Sequence, residues 1–137
     1  MSRETDHVEI HDYLARFWRA MDRSDYGAVL AGVTEDCRWL RDRWREGRDD
    51  ILLSLQARPP LAASRHCIAN LILDPVGGGY AAQYGLIIFG HPKTPDATEP
   101  PYRTSGPRMG DWTSQLVKVD GAWRAQEIRA ALVFDRA

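Results

Sequence analysis

The spacing of the hydrophobic residues changes near the middle of the chain, and this change limits the folds that the chain can adopt. In the N-terminal half, apolar side chains recur at helical spacing and predict a first helix from about His7 to Asp22. The residues of this apolar stripe are Ile10, Tyr13, Leu14, Phe17, Trp18 and Met21. Ser24 or Asp25 then caps a shorter second helix, and Gly47 leads into a third helix.

The second half of the chain has the patterns of strands and hairpins. Ser64 to Leu73 predicts a long strand, and a turn at Gly77-Gly78-Gly79 leads to a partner strand from Tyr80 to Phe89. Asp120-Gly121 predicts a second hairpin, whose turn needs positive φ values. Between the hairpins, Gly90 to Arg108 holds five of the eight prolines and predicts a long loop. Loops of this length and composition usually serve as a lid, a partner-binding segment or a mobile excursion.

Helices followed by consecutive antiparallel strands indicate an α+β fold. A first short strand, from Cys37 to Leu40, lies between the second and third helices. We therefore expect three N-terminal helices to cover one face of a curved antiparallel sheet. The 137 residues, of which 44% are hydrophobic and 27% charged, suffice for one domain, 1–137, with its own hydrophobic core.

The charge balance argues against nucleic acid and membranes as partners. A formal net charge of -1 and a pI near 6.4 give the chain no overall attraction to polyanions. Apolar runs such as Leu86 to Phe89 are too short to cross a bilayer, and the polar first residues are unlike a signal sequence, so we expect the cytoplasm. The arginine-rich stretch from Arg38 to Arg48 is interleaved with acidic residues, which predicts a salt-bridged rim rather than a phosphate site.

Neither the cysteines nor the first two histidines predict a metal site. Cys37 and Cys67 fall in predicted strands without a Cys-x-x-Cys spacing, which favours small buried side chains. His7 and His11 share one face of the first helix but lack the His-Glu-x-x-His pattern of zinc proteases. We therefore expect no metal and no cofactor.

Asp22, at the end of the first helix, and His66, on the long strand, are the candidate catalytic residues. A carboxylate that orients an imidazole forms a compact general acid/base device. Asp22 could instead cap the second helix, but Ser24 and Asp25 are better placed for that role.

Further polar and aromatic residues are candidates for substrate binding. Asn70 shares a strand face with His66 and could hydrogen-bond a substrate oxygen or merely the backbone. Arg129, on the last strand, could bind an anionic substrate or neutralise Asp22, and the alternative is a surface position. Large, stiff aromatic side chains complete the predicted pocket wall: Trp18, Trp39, Tyr84 and Trp112.

Five sequence segments, in their order and spacing, resemble the nuclear transport factor 2 superfamily over nearly the whole chain. Within that superfamily the chain is similar to SnoaL-like proteins and to their relatives scytalone dehydratase and hexachlorocyclohexane dehydrochlorinase. The segments are Met21-Asp22-Arg-Ser-Asp25-Tyr, Thr34-Glu-Asp36-Cys-Arg-Trp39, Gly47-x-x-x-Ile51, Arg65-His66-x-x-x-Asn70 and Asp120-Gly-Ala-Trp123-Arg124.

The resemblance implies a cone-shaped α+β barrel, in which helices and a strongly bent antiparallel sheet enclose an apolar pocket, and dimerisation through the open sheet face. Enzymes of the group place an Asp from the end of the first helix beside a His from the strand after the third helix. Asp22 and His66 occupy these two places. Three positions depart from the dehydratase pattern: Gly110-Asp111-Trp112 replaces its late Asn, Met21 its Tyr, and Gln83-Tyr84 its second His.

Two functions from different classes follow from the resemblance. The first is a cofactor-independent lyase or isomerase of the dehydratase or cyclase type, in which His66 removes a proton and Asp22 fixes its tautomer, or the two exchange roles. Its ligand is expected to be a small apolar or aromatic, polyketide-like molecule, and the protein a homodimer. The second is a non-catalytic role, as a ligand-binding protein or as the small structural subunit of an aromatic-ring-hydroxylating dioxygenase.

Overall fold

The computed structural model describes residues 2–104 and 106–136 of the chain. The described helices and strands are, in chain order, α1 (Arg3–Asp22), α2 (Tyr26–Ala31), β1 (Val33–Leu40), β2 (Trp44–Glu46), α3 (Gly47–Gln56), β3 (Leu61–Val76), β4 (Gly79–Pro92), β5 (Arg108–Val119) and β6 (Ala122–Phe134). The predicted α+β class is confirmed, and β2 is the one described strand that the sequence pattern did not predict.

The first helix begins at a side-chain cap and buries one apolar stripe. The Ser2 hydroxyl accepts a hydrogen bond from the backbone N–H of Thr5, so α1 starts earlier than the predicted His7. Burying one large apolar side chain contributes about 1.5–3 kcal/mol, and α1 buries several: Ile10, Leu14, Phe17, Trp18 and Met21. None of the described helices is long and apolar enough to cross a membrane.

Asp25, and not Ser24, caps the second helix. The Asp25 carboxylate accepts a hydrogen bond from the backbone N–H of Ala28 at 3.2 Å. Ser24 lies in the tight link between α1 and α2, where it adopts a φ of 54°. Asp22 is therefore not needed as the cap of α2 and is free to bond elsewhere.

The six strands form one open sheet in the order β2-β1-β6-β5-β4-β3. Neighbouring strands are antiparallel, except that β1 runs parallel to β6. This pair departs from the expected antiparallel sheet because β1 and β6 are far apart in the chain and no hairpin sets their relative direction. Since β2 and β3 lie at opposite edges, the sheet is not closed into a barrel. The helices α1 and α3 pack on β3 and β1, and the hydrophobic core lies between helices and sheet.

The two hairpins form where their turn residues predict them. Gly77 leaves β3 with a φ of 56°. Asp120 and Gly121 join β5 to β6 with φ values of 51° and 79°, the positive pair that an Asp-Gly turn provides. The strands are longer than predicted: β4 extends to Pro92 and β5 begins at Arg108, which confines the proline-rich connection to residues 93–107.

A β-bulge interrupts β3 at Asn70. Between the pairs Ala69–Gly85 and Ile72–Gln83, β3 has one residue more than β4. Asn70 accommodates the extra residue with a φ of 55°, a left-handed conformation that Asn adopts more readily than most residues. The bulge changes which residues of β3 face the helices.

The faces of β3 exchange across this bulge. Before it, His66 and Ile68 face inward, whereas after it the inward residues are Leu71 and Leu73, which pack in the core. Asn70 itself is exposed. The expectation that Asn70 shares a pocket-lining face with His66 is therefore wrong, because the pleat is reversed between the two residues.

The two cysteines lie in different environments. Cys37 is buried, and burial raises the pKa of its thiol to about 12. Cys67 is exposed, contrary to the expectation of a buried side chain. It alternates with His66 along β3 and therefore faces the side of the sheet opposite the helices.

Substitutions at Asn70 separate backbone strain from any side-chain role. Asn70→Val should lower the free energy of unfolding by about 1–3 kcal/mol, because a β-branched residue at positive φ is strained. Asn70→Gly should stay near the wild-type value, since glycine adopts this conformation without strain. The free energy of unfolding of both variants is measured by urea denaturation, with tryptophan fluorescence as the signal. An equal loss in the two variants would mean that the Asn70 side chain, and not its backbone, stabilises the bulge.

Candidate active site

Hydrogen bonds join Asp22, the last residue of α1, to β3. Its Oδ1 atom lies 2.5 Å from Nδ1 of His66, and its Oδ2 atom accepts the backbone N–H of His66 at 3.1 Å. The hydroxyl of Ser64 donates to Oδ1 at 3.0 Å. The side chains of His66 and Asp22 are only 8% and 9% exposed. The structure thus brings the two candidate catalytic side chains together in a largely buried pair.

The environment of Asp22 keeps its carboxylate ionised. Burial raises the pKa of Asp22. The hydrogen bond from the His66 ring, electrostatic attraction to that ring, and the hydrogen bonds from the His66 backbone and the Ser64 hydroxyl together outweigh burial and lower the pKa below its ordinary value. An ionised carboxylate accepts hydrogen bonds only, so Nδ1 of His66 must carry a proton. The other ring nitrogen, Nε2, is then left for the cavity that His66 lines.

Trp18 fixes the plane of the imidazole. Its ring stacks on His66 with centroids 5.0 Å apart and an interplanar angle of 22°. The indole Nε1–H of Trp18 donates to the hydroxyl of Tyr84 at 3.2 Å, and that hydroxyl also pairs with Oγ of Ser114 at 2.9 Å. Because both the indole and the carboxylate hold His66, the direction of its Nε2 atom is set before any ligand binds.

A cavity of about 1000 Å³ opens beside His66. One wall is aromatic, formed by Trp18, Trp39 and Trp112, as the sequence predicts. The indoles of Trp39 and Trp112 both make edge-to-face contacts with Trp18, at centroid distances of 6.1 and 6.0 Å. Such a wall suits a flat apolar ligand that places an atom against the imidazole.

Three residues predicted to bind substrate do not line this cavity. Asn70 is displaced by the bulge described above. Tyr84 lies behind Trp18, where burial above all raises the pKa of its phenol to about 12. Arg129 alternates with the cavity-lining Ala130 along β6 and therefore points to the opposite face, where its side chain is 55% exposed. The interpretation of Arg129 as a surface residue is the one that the structure supports.

The arginine-rich stretch forms the predicted salt-bridged rim at one side of the cavity. Arg45 binds Asp42 through two parallel hydrogen bonds of 3.0 Å and also contacts Asp50 at 3.1 Å. Arg43 makes a second two-point contact with Asp50. Hydrogen bonds from Arg43, the Glu46 backbone and Arg45 lower the pKa of Asp50 far below its ordinary value.

Sequence reasoning missed several polar residues of the site, among them Ser64, Arg41 and Arg58. Ser64, the third hydrogen-bond partner of Asp22, could have been found because it lies two residues before His66 on the same strand face. Arg41 and Arg58 also line the cavity. Arg41 follows β1 and Arg58 follows α3, and no sequence pattern indicates where a side chain beyond the end of an element will point.

Comparison with known proteins identifies a family. A family model described as a SnoaL-like domain matches residues 2–129. No curated protein matches the sequence. The solved structures compared below are distant in sequence. A candidate scytalone dehydratase from Novosphingobium aromaticivorans has 17% identity and a TM-score of 0.79, with 95% of this chain and 85% of that chain covered.

Two further structures have the same architecture. A hexachlorocyclohexane dehydrochlorinase is 14% identical, with a TM-score of 0.75 and coverage of 96% of this chain and 88% of that chain. A candidate aromatic ring hydroxylase from Novosphingobium aromaticivorans is 17% identical, with a TM-score of 0.80 and coverage of 100% and 95%. These likenesses establish the nuclear transport factor 2-like fold.

The bonding of Asp22 predicts a pH-dependent contribution to stability. Because folding lowers the pKa of Asp22, its ionised form stabilises the protein fully above the unfolded value, about 3.9, and this stabilisation is lost as the pH falls through the folded value. Asp22→Asn should therefore reduce the free energy of unfolding at neutral pH, and the difference from wild type should narrow in acid. Urea denaturation of both proteins, from neutral to acidic pH, measures this difference in the free energy of unfolding. A difference that does not change with pH would rule out a contribution from the charge.

Proposed function

Because the chain belongs to the SnoaL-like domain family, we propose that it is a cofactor-independent lyase or isomerase that acts on a small molecule in the aromatic-walled cavity. Membership of the family supports a lyase-type or a ligand-binding role. The observation that favours chemistry is the His66 imidazole, which is held at Nδ1 by an ionised carboxylate and lines the cavity.

His66 is the general base in this proposal. Its Nε2 lone pair takes a proton from a carbon next to an electron-withdrawing group. In a lyase the C–H electron pair forms a new double bond, and a β-substituent departs with its own bonding pair. In an isomerase the proton returns to another carbon. Asp22 stabilises the imidazolium that forms and holds the ring in the required tautomer.

The reverse assignment, with Asp22 as the base, is disfavoured by the bonding of the carboxylate. Its two oxygens already accept three hydrogen bonds from His66 and Ser64. Asp22 is also absent from the described lining of the large cavity, whereas His66 is part of it. A substrate in that cavity therefore meets the imidazole and not the carboxylate.

The second candidate function is ligand binding without chemistry. The size and aromatic wall of the cavity fit ligand binding as well as they fit an enzyme, because neither feature requires a reaction. The same role includes the small subunit of a ring-hydroxylating enzyme, which would need a larger partner. Dimerisation through the sheet face and a cytoplasmic location stay predictions under both functions.

Deuterium exchange separates the two functions before the substrate is known. Wild-type protein is incubated in D₂O with a panel of small aromatic and alicyclic compounds that have an acidic C–H and a β-hydroxyl or β-halide. Exchange and elimination are followed by NMR. His66→Ala and Asp22→Asn should each slow the reaction by about 10²- to 10⁴-fold, the usual contribution of a positioned acid/base group. Arg129→Gln, on the outer face, is the matched control and should react at the wild-type rate.

Two results would contradict the proposed chemistry. Undiminished exchange in both His66→Ala and Asp22→Asn would remove the pair from the mechanism. Compounds that bind to the wild-type cavity without exchange or elimination across the whole panel would favour the ligand-binding function.

A further inference from the structure

The cavity lining has an excess of positive charge that the composition of the chain does not predict. The whole chain has a formal net charge of -1. The described lining nevertheless includes a single acidic side chain, Asp42, and five arginines: Arg41, Arg45, Arg58, Arg108 and Arg136. The cations are therefore concentrated where a ligand would enter.

Part of this charge is already neutralised within the protein. Arg45 is bound by Asp42 and Asp50, as described above. Arg108 lies 3.9 Å from Asp135 in a more exposed contact. Arg136 is exposed to solvent. Arg41 and Arg58 differ from all three, because they are half-buried and neither forms an ion pair with any residue in the described part of the chain.

Arg41 lies at the end of the aromatic wall. Its guanidinium stacks over the ring of Trp39 at 5.0 Å from the centroid. Trp39 contacts Trp18, which in turn stacks on His66. A continuous aromatic surface therefore connects the imidazole to this guanidinium. The Arg41 side chain makes no hydrogen bond to another described residue, although it is half-buried.

Arg58 is anchored on one side and open on the other. Its Nη1 atom donates to the backbone carbonyl of Met21 at 3.1 Å and to the hydroxyl of Tyr26 at 3.3 Å. Met21 directly precedes Asp22, so these bonds tie the guanidinium to the end of α1. The other N–H groups of Arg58 have no partner among the described residues and are available to a ligand in the cavity that Arg58 lines.

The two guanidinium groups also affect each other. Burial, followed by the positive charge of Arg58, lowers the pKa of Arg41. The attraction of Asp42 opposes these effects but does not outweigh them. Two cations that share a partly desolvated site without a carboxylate bonded to either destabilise the free protein, and a bound anion relieves that repulsion.

We propose that Arg41 and Arg58 bind an anionic group of the ligand, so that the substrates are small aromatic or flat apolar carboxylic acids. That the bound acid is a substrate rests on the proposed function, whereas the binding of an anion by these two arginines does not. A carboxylate fits because its two oxygens match the planar donor fork of a guanidinium. The apolar body then lies along the tryptophans, and its reacting carbon lies against Nε2 of His66.

Paired probes test the anion site by binding alone. Dissociation constants are measured by tryptophan fluorescence and NMR for benzoate and 2-naphthoate and for their neutral amides, benzamide and 2-naphthamide. Wild type should bind each acid about 10- to 100-fold more tightly than its amide, as expected for charge-assisted hydrogen bonds. Arg41→Gln and Arg58→Gln should each remove most of this preference and leave amide binding unchanged. Arg58→Lys should retain part of it, and Arg129→Gln all of it.

The outcomes distinguish this inference from the proposed function. The same titration in His66→Ala should still favour the acids, since the anion site does not involve the imidazole. Equal affinity for acids and amides, no detectable binding of any acid in the millimolar range, or a preference that survives in both glutamine variants would overturn the inference. If the protein prefers acids but no compound undergoes deuterium exchange, the anion site is supported and the proposed lyase or isomerase activity is contradicted. Phenyl phosphate is a third kind of probe. If it binds more tightly than benzoate, the proposed carboxylic-acid ligand is wrong and the site prefers a phosphate.

Discussion

The carboxylate of Asp22 is the interaction on which the geometry of the site depends. It ends α1 and bonds a ring nitrogen, a backbone N–H and a hydroxyl of β3, so one side chain both attaches the helix to the sheet and positions the imidazole. A buried carboxylate is costly when its charge is not compensated. Here three donors compensate it, and the same three bonds fix which nitrogen of His66 has the proton. Packing and chemistry are therefore set by the same contacts.

Much of the fold could be predicted because its signals are local. The apolar stripe of α1 and the Asp120-Gly121 turn each depend on a few neighbouring residues, and both appear where the sequence places them. The bulge at Asn70 could not be predicted in this way. The apolar and polar residues of β3 fit a strand with or without the extra residue. Which face of the sheet each side chain occupies is decided by the pairing of β3 with β4. One extra residue was enough to move Asn70 from the expected pocket wall to the surface.

The site was only partly predictable for a related reason. Trp18 and His66 belong to regular elements, so their faces follow from periodicity once the elements are correct. Arg41 and Arg58 follow the ends of β1 and α3, where the backbone leaves the regular pattern. Arg129, on the last strand, was the arginine expected to bind an anionic substrate, and β6 turns it to the outer face. The charge that lines the cavity comes instead from residues that only the tertiary structure brings together.

The positions of these charges also constrain how a ligand would orient. In the proposed complex a carboxylate would be repelled by the ionised Asp22, whose side chain lies behind His66 and away from the cavity. Arg41 and Arg58, which line the cavity, attract the ligand carboxylate instead. Coulomb interactions therefore favour one orientation, with the anionic end at the arginines and the apolar end at the imidazole. A neutral analogue would lack this bias and could enter either way round, so the arginines would contribute to positioning of the reacting carbon as well as to affinity.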